Sequence, residues 1–213
     1  MSRTWTQTFT GKMMYPLAPT ADMINIFDIA HQSSIEPRYS GATFFPYSVA
    51  QHSILVADII DILLDNYEAY QYAYGNMCRF FSQDIDVRNV LRSIALLHDA
   101  TEAYLKDMPK PIKDVMPDYT AYEHKLELLI YNKYLNDITN VYPDGYGLAR
   151  AMVKDADIIA LLTERGQILG PPPAAWLDDF SAYFSLDIPV TYMSWDLVEQ
   201  NFLNKAASLG INY

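Results

Sequence analysis

Residues 91–105 read LRSIALLHDATEAYL. With Val90 just ahead, Leu91, Ile94, Ala95 and Leu97 recur at intervals of three and four. That spacing buries one stripe of an α-helix and does not suit the alternating faces of a strand. The stripe leads straight into His98-Asp99, with Glu102 four residues beyond the histidine. Met108-Pro109-Lys110-Pro111 then has to stop the segment, because proline lacks the backbone donor a helix interior needs.

The same period extends outward on both sides. Val49, Leu55, Val56, Ile59, Ile60 and Leu63 form a second stripe, opened by a capping box at Ser48–Gln51 and running to about Leu64. Upstream, Asp22 is expected to cap a helix carrying Ile24, Ile26, Phe27, Ile29 and Ala30 that ends near Pro37. Downstream, a capping box at Thr120–Glu123 opens a helix to about Leu135, and Leu148–Leu169 is the longest regular helical pattern. Pro171-Pro172-Pro173 breaks the chain, and a last helix runs from about Ser194 to Leu209, stopped by Gly210. Residues 1–20 read as an extended arm or small hairpin. Residues 65–89 are Tyr-rich and polar, open to a helix extension, an inserted loop or an interface element. The expectation is an all-α helical bundle of one domain over residues 1–213, with 171–213 as a C-terminal extension.

Composition agrees with one globular domain. The chain has 213 residues, 51% of them hydrophobic, with 8 Gly and 12 Pro, which fits neither a disordered nor a collagen-like polymer. Lys+Arg 15 against Asp+Glu 26 gives a net charge of −11, so a phosphate backbone is repelled at long range and no nucleic-acid partner is expected. The one cysteine, Cys78, cannot form an internal disulfide. The first twenty residues have no apolar core typical of a signal peptide. The apolar run 54–64 is broken by Asp58 and Asp61 and is too short to span a bilayer. These features lead to the expectation of a soluble, cytoplasmic protein with no membrane partner. There is no Gly-rich phosphate loop of either common type.

The chemistry lies with four histidines: His31, His52, His98 and His124. His52 and His98 interrupt strongly apolar helices. Imidazole nitrogen with carboxylate oxygen is a donor set suited to Mn, Fe, Co, Ni or Zn. On one helix, His98 and Asp99 point about 100° apart, so a shared ion would sit between them and the other ligands would come from elsewhere. His52 and an acid on 148–169 are the candidates, and periodicity leaves Asp155 and Asp157 both open. Helical geometry would set Glu102 on the same edge as His98 and Asp99, placed for acid/base work. Buried Asp99 and Glu102 would be costly without a cation nearby.

The series His52, His98-Asp99, Asp157 resembles the H…HD…D signature of the HD-domain metal-dependent phosphohydrolases. Longer strings carry the same likeness. DIAHQSSIEPRYSGATFFPYSVAQHS (28–53) is similar to the family's segment with an arginine ahead of the first metal histidine. HDATEAYLKDMPKPIK (98–113) resembles its catalytic helix and turn, and VKDADIIALLTER (153–165) its last ligand helix. The resemblance spans roughly residues 4–170. It is strongest to small nucleotidases, a branch including bacterial 5'-deoxynucleotidases and phage-type dATP triphosphohydrolases. The arm and DMPKPIK (107–113) look more like the second group.

The resemblance implies that His52, His98, Asp99 and Asp157 hold one divalent metal of the Co, Mn, Zn or Ni type, with a second ion, Mg, able to arrive with a triphosphate. The family's lysine-any-alanine-aspartate pattern, here Lys154–Asp157, favours Asp157 over Asp155. It implies Glu102 as general acid/base and Asp107 as the residue that binds a sugar hydroxyl or orients water. Arg38 and Lys113 would clamp phosphate oxygens, with Lys110 a further cation. Tyr39 would pack on the sugar and disfavour a 2'-hydroxyl. His31 would line the nucleoside pocket or serve as a structural histidine, and His124 would face solvent. The implied reaction is dATP to deoxyadenosine plus triphosphate, the alternatives being a 5'-deoxynucleotidase acting on dNMPs and a non-catalytic nucleotide- or partner-binding protein. Relatives of this branch form dimers or hexamers, so a homo-oligomer is expected, in the host cytoplasm if the protein is viral.

Overall fold

The computed structural model describes residues 4–65, 85–135, 143–176 and 180–211, and the Tyr-rich stretch after Asp65 lies outside them. At its centre α2 (Val49–Asp65) packs on α3 (Ile85–Leu97), and α7 (Pro143–Ile168) lies against both. The two stripes read from the sequence supply the contact: Val56, Ile59, Ile60 and Leu63 of α2 and Leu91, Ile94, Ala95 and Leu97 of α3 are all essentially inaccessible. Met152, Ala156, Ile159 and Ala160 of α7 close the same core. Removing several such side chains from water is the main favourable contribution to folding, about 1.5–3 kcal/mol for each large one. The fold is all-α apart from one short hairpin.

Around that centre, α1 (Ile26–Ile35) packs on α2. Two short helices follow α3: α4 (Glu102–Leu105) and α5 (Lys110–Lys113). Then come α6 (Pro117–Tyr134) and, after α7, the last helix α8 (Trp195–Ser208). Helix α8 lies against α1, α2 and α3, burying Val198, Phe202 and Ala206, so the segment after the prolines shares the main core. It ends at Gly210, which takes φ +76 while Ile211 N–H bonds back to Ala206 O. A left-handed residue there satisfies the last carbonyls, and glycine takes it without penalty. Among the described residues no helix is long and apolar enough to cross a membrane.

Several helix starts differ from the sequence expectation, each for a local reason. Asp22 does not cap the first helix; its carboxylate accepts from Thr20, and Asn25 caps α1 by accepting from Phe27 N–H at 2.9 Å. At Ser48 only half of the capping box forms: Ser48 Oγ accepts Gln51 N–H, while Gln51 Nε2 reaches Thr191 O at 2.7 Å. Helix α6 begins at Pro117, three residues before the expected Thr120, because proline's fixed φ suits the first helical position. Glu123 is then left to pair with Lys113.

The N-terminal arm is a hairpin, β1 (Thr6–Gln7) antiparallel to β2 (Met13–Met14), turned with Gly11 at φ +82. It is fastened to α1 through fully buried Asp28, which accepts Thr10 N–H at 2.6 Å and Thr10 Oγ1 at 2.9 Å. Replacing Asp28 by alanine leaves Thr10 without these acceptors. The change should cost about 1–3 kcal/mol and lower Tm by roughly 3–10 °C. Thermal unfolding followed by circular dichroism checks this, and an unchanged Tm would show that the hairpin is not held there.

Candidate metal centre

Three separate stretches bring the polar cluster together. His52 lies in the first turn of α2 and is completely inaccessible. His98 and Asp99 follow α3, whose regular helix stops at Leu97. Residues 98–101 form a tighter turn, with Ala100 N–H on Leu97 O and Glu102 N–H on Asp99 O. His98, Asp99 and Glu102 therefore do not share one regular helix edge as the sequence suggested. The turn redirects them instead. Asp157 comes from the middle of α7.

The ligand atoms converge. A ring nitrogen of His52, one of His98 and a carboxylate oxygen of Asp157 all lie within 4.8 Å of one another. Asp99 Oδ2 borders the same point, 3.1 Å from His98 Nε2 and 3.7 Å from His52 Nε2, and Asp157 Oδ1 is 3.1 Å from His52 Nε2. A cation bound at about 2.0–2.2 Å needs its ligand atoms about 3–4 Å apart, and the His52–Asp157, His52–Asp99 and His98–Asp99 separations lie in that range. The tautomers suit it too. His98 Nδ1 donates to Ala95 O at 2.8 Å and His52 Nδ1 to Glu164 Oε1 at 2.6 Å, so Nε2 is the nitrogen each ring turns to the cluster. At His52 a cation would displace the Nε2 proton shared with Asp157. His98 Nε2 is buried with no hydrogen-bond partner, since the Asp99 carboxylate beside it is not aligned for one. That orphaned nitrogen, with two carboxylates in reach, fits a divalent cation. Asp155, the alternative acid, instead accepts from Tyr183 Oη at 2.7 Å.

Glu164 was not anticipated, and the cluster is built on it. Its side chain is fully buried and accepts four hydrogen bonds: His52 Nδ1 (2.6 Å), Tyr47 Oη (3.0 Å), Tyr39 Oη (2.5 Å) and Arg38 Nε (3.2 Å). Burial favours its neutral form, but the His52 and Arg38 charges and these donors prevail and hold its pKa near 2. For His52, burial and Arg38 oppose a positive charge, whereas Glu164 and Asp157 outweigh them and raise its pKa to about 9. A sequence signal existed: Glu164 lies seven residues after Asp157, two turns up the same face of α7.

Arg38 and Tyr39 sit in the Arg38–Gly41 turn, where Tyr39, Ser40 and Gly41 all take positive φ (54, 51 and 77). Two non-glycine residues in that region cost about 1–2 kcal/mol each. The arrangement points the guanidinium inward: Nη1 is 3.4 Å from Asp99 Oδ2 and Nη2 is 3.9 Å from Asp157 Oδ1. Tyr39's hydroxyl is committed to Glu164 and its ring lies beside the Arg38 guanidinium at 5.1 Å.

Glu102 opens α4, 5% exposed, with Oε2 buried and unpartnered. Burial, then the charges of Asp99 and Asp107, push its pKa well above the usual carboxylate range. Asp107 is raised as well, by burial first and Asp99 and Glu36 after, against Arg38 and Lys113. Lys113 is held at 2.7 Å by Glu123, and exposed Lys110 pairs with Asp114 at 3.1 Å. Exposed Lys154 reaches Asp157 Oδ2 at 2.8 Å, a cation beside the cluster that the sequence reading took only as part of the pattern favouring Asp157. His31 stands apart in an aromatic stack, 3.7 Å below Phe9, with Nδ1 2.9 Å from Glu199 of α8. His124 is exposed against Glu127.

Two outcomes follow from this geometry. Adding Mn, Co, Ni or Zn at a hundred times the dissociation constant should stabilise the protein by about 2.7 kcal/mol, seen as a higher Tm, and His98→Ala should abolish the shift. Glu164→Gln keeps the shape but loses the charged acceptor for His52, so metal affinity should fall about 10- to 100-fold by calorimetry. Unaltered affinity in Glu164→Gln would refute the orienting role.

No family model matches the chain. It is 34% identical over 191 residues to the uncharacterized protein YfdR of Escherichia coli (strain K12), spanning 88% of this chain and 82% of that protein. It is also 30% identical over 173 residues to an uncharacterized protein of Rhodobacter capsulatus, spanning 80% of this chain and 76% of the relative. At that identity and coverage the chain belongs to the family of the uncharacterized protein YfdR.

Proposed function

We infer that the protein is an HD-domain phosphohydrolase that cleaves a deoxynucleotide at its 5'-phosphate, with dATP giving deoxyadenosine and triphosphate. The observation that carries the reading is the convergence of His52, His98, Asp99 and Asp157, beside the Arg38 guanidinium and the buried Glu102 carboxyl, whose pKa is raised. A divalent cation held by those four side chains would supply Lewis-acid charge to a phosphoryl oxygen.

The chain's own groups account for the rest. Arg38 has its Nη atoms 3.4 Å from Asp99 and 3.9 Å from Asp157, so its positive charge lies where a phosphate's equatorial oxygens gain negative charge during transfer. Lys154 is exposed next to Asp157 and can swing to a more distal phosphate. Lys113 contributes charge from α5, while Lys110, paired at the surface, adds less. Glu102, whose pKa burial raises well above the usual carboxylate range, would protonate the departing 5'-oxygen or, as a carboxylate, guide the attacking water. Asp107, half-buried in the loop after α4, is left to bind a sugar hydroxyl or hold the attacking water. Tyr39, tied down by Glu164, acts on a sugar through the shape of its ring, which supports a deoxyribose preference.

The overall charge of −11 does not oppose an anionic substrate. Surface charges are screened within roughly 8 Å at physiological salt, and the local cations lie at the cluster itself.

The decisive measurement is a screen of dNTPs, NTPs and dNMPs with Mn, Co, Zn and Mg, resolving products by ion exchange. Triphosphate released from dATP in one step is expected. Orthophosphate from dAMP with inert dATP would favour a monophosphate nucleotidase instead, and no turnover with any ion would remove the enzyme reading. Glu102→Gln should lower kcat about 10²- to 10⁴-fold while metal content stays the same.

A further inference from the structure

A second cleft lies behind the metal cluster, between the end of α1, the loop 41–48 and the start of α8, with a volume of about 510 Å³. That falls within the range of small-molecule sites. Its walls are aromatic: Phe44, Phe45, Tyr192 and Trp195 line it, and Phe45 meets Tyr192 edge-on at 6.3 Å. Three of these are unusually open for large rings, Phe44 at 70%, Tyr192 at 58% and Trp195 at 52% exposed. No side chain that lines the cleft carries a charge. Phosphate would therefore find no cation here, and a neutral ring would find faces to stack on.

One polar atom points to what the ring carries. Ser34 lines the cleft, is only 3% exposed, and keeps a buried Oγ with no hydrogen-bond partner among the described residues. Such groups are rare in folded proteins, because leaving a buried hydroxyl unsatisfied is costly. That Oγ has almost no accessible surface, so a ring nitrogen or hydroxyl in the cleft would satisfy it once the Ser34 side chain rotates toward the opening.

The cleft is not the front of the metal centre. Tyr47 lines it and is 3% exposed, and its hydroxyl bonds Glu164, which takes the Nδ1 side of His52. The Nε2 side of His52, which faces Asp99 and Asp157, points the other way around the ring.

We propose that this cleft is a second site, binding an uncharged nucleoside by stacking on its aromatic walls and hydrogen bonding to Ser34. The choice of nucleoside rests on the hydrolase reading above: the reaction splits its substrate into a highly charged phosphate and a neutral aromatic product, and only the neutral product matches this lining.

The test uses the full-length, metal-loaded protein titrated with 2'-deoxyadenosine, with dAMP as the charged comparison, by calorimetry and by quenching of tryptophan fluorescence. Saturable binding of deoxyadenosine and much weaker binding of dAMP are expected. Ser34→Ala removes an unpartnered hydroxyl, so Tm and metal content should hold while nucleoside affinity falls about threefold to tenfold. Phe44→Ala, at the open rim, should weaken binding about fivefold or more. Absence of saturable binding at millimolar nucleoside overturns the proposal. So does binding lost in His98→Ala but kept in both cleft variants, which puts the nucleoside at the metal. Sedimentation showing that Phe44→Ala splits a dimer also overturns it, because a second copy then covers the face. Binding by a protein that hydrolyses no nucleotide would sink the hydrolase reading and keep this site; hydrolysis without such binding would do the reverse.

Discussion

The hydrogen bond from His52 Nδ1 to the buried Glu164 carboxylate is the interaction on which the polar centre depends. A carboxylate in a dry interior is expensive unless its lone pairs are filled and its charge is answered. Glu164 meets both conditions with four donors, two of them cationic. Each donor is fixed in return. His52 is held in the tautomer that presents Nε2, Arg38 is aimed across Asp99 and Asp157, and two tyrosines become part of the wall. The apolar stripes of α2, α3 and α7 bring the helices together, but they do not orient an imidazole. Glu164 does.

The second constraint is the interruption after Leu97. A regular helix would have kept His98, Asp99 and Glu102 within about 100° of arc on one edge. The tightened turn instead presents His98, Asp99 and Glu102 to the cluster in succession, while Ala103 and Tyr104 just beyond return to the core. Lys106 then takes φ +76, a second local cost in the loop that carries Asp107. Backbone irregularity is thus concentrated on both sides of the cluster, at 39–41 and around 98–106, where it aims side chains.

The helical architecture was legible because periodicity reports which side chains must leave water. The stripes at 49–63 and 90–97 and the long pattern toward 168 correspond to α2, α3 and α7. Helix starts were less so. Asp22 and Thr120 are good caps by residue type, yet Asn25 and Pro117 took those roles through local geometry that no spacing rule encodes. His52 and His98 stood out because imidazoles interrupt apolar stripes. Periodicity could not choose between Asp155 and Asp157, since both flank the buried face of α7; packing separates them, Asp157 lying beside His52 and Asp155 accepting from Tyr183. Glu164 went unread because it looked like one more charge near a helix end, and Lys154 entered only as part of the pattern that favours Asp157.

The left-handed run Tyr39-Ser40-Gly41 has a consequence for how such a chain can drift. Its strain is offset by the bonds that Arg38 and Tyr39 make to a residue 126 and 125 positions away in sequence. Losing the carboxylate would release the turn as well as the imidazole, and losing the turn would strand a buried anion. Neither half is viable alone. Descendants should therefore inherit the two as a pair, and a lineage that abandons one should carry a compensating change in the other.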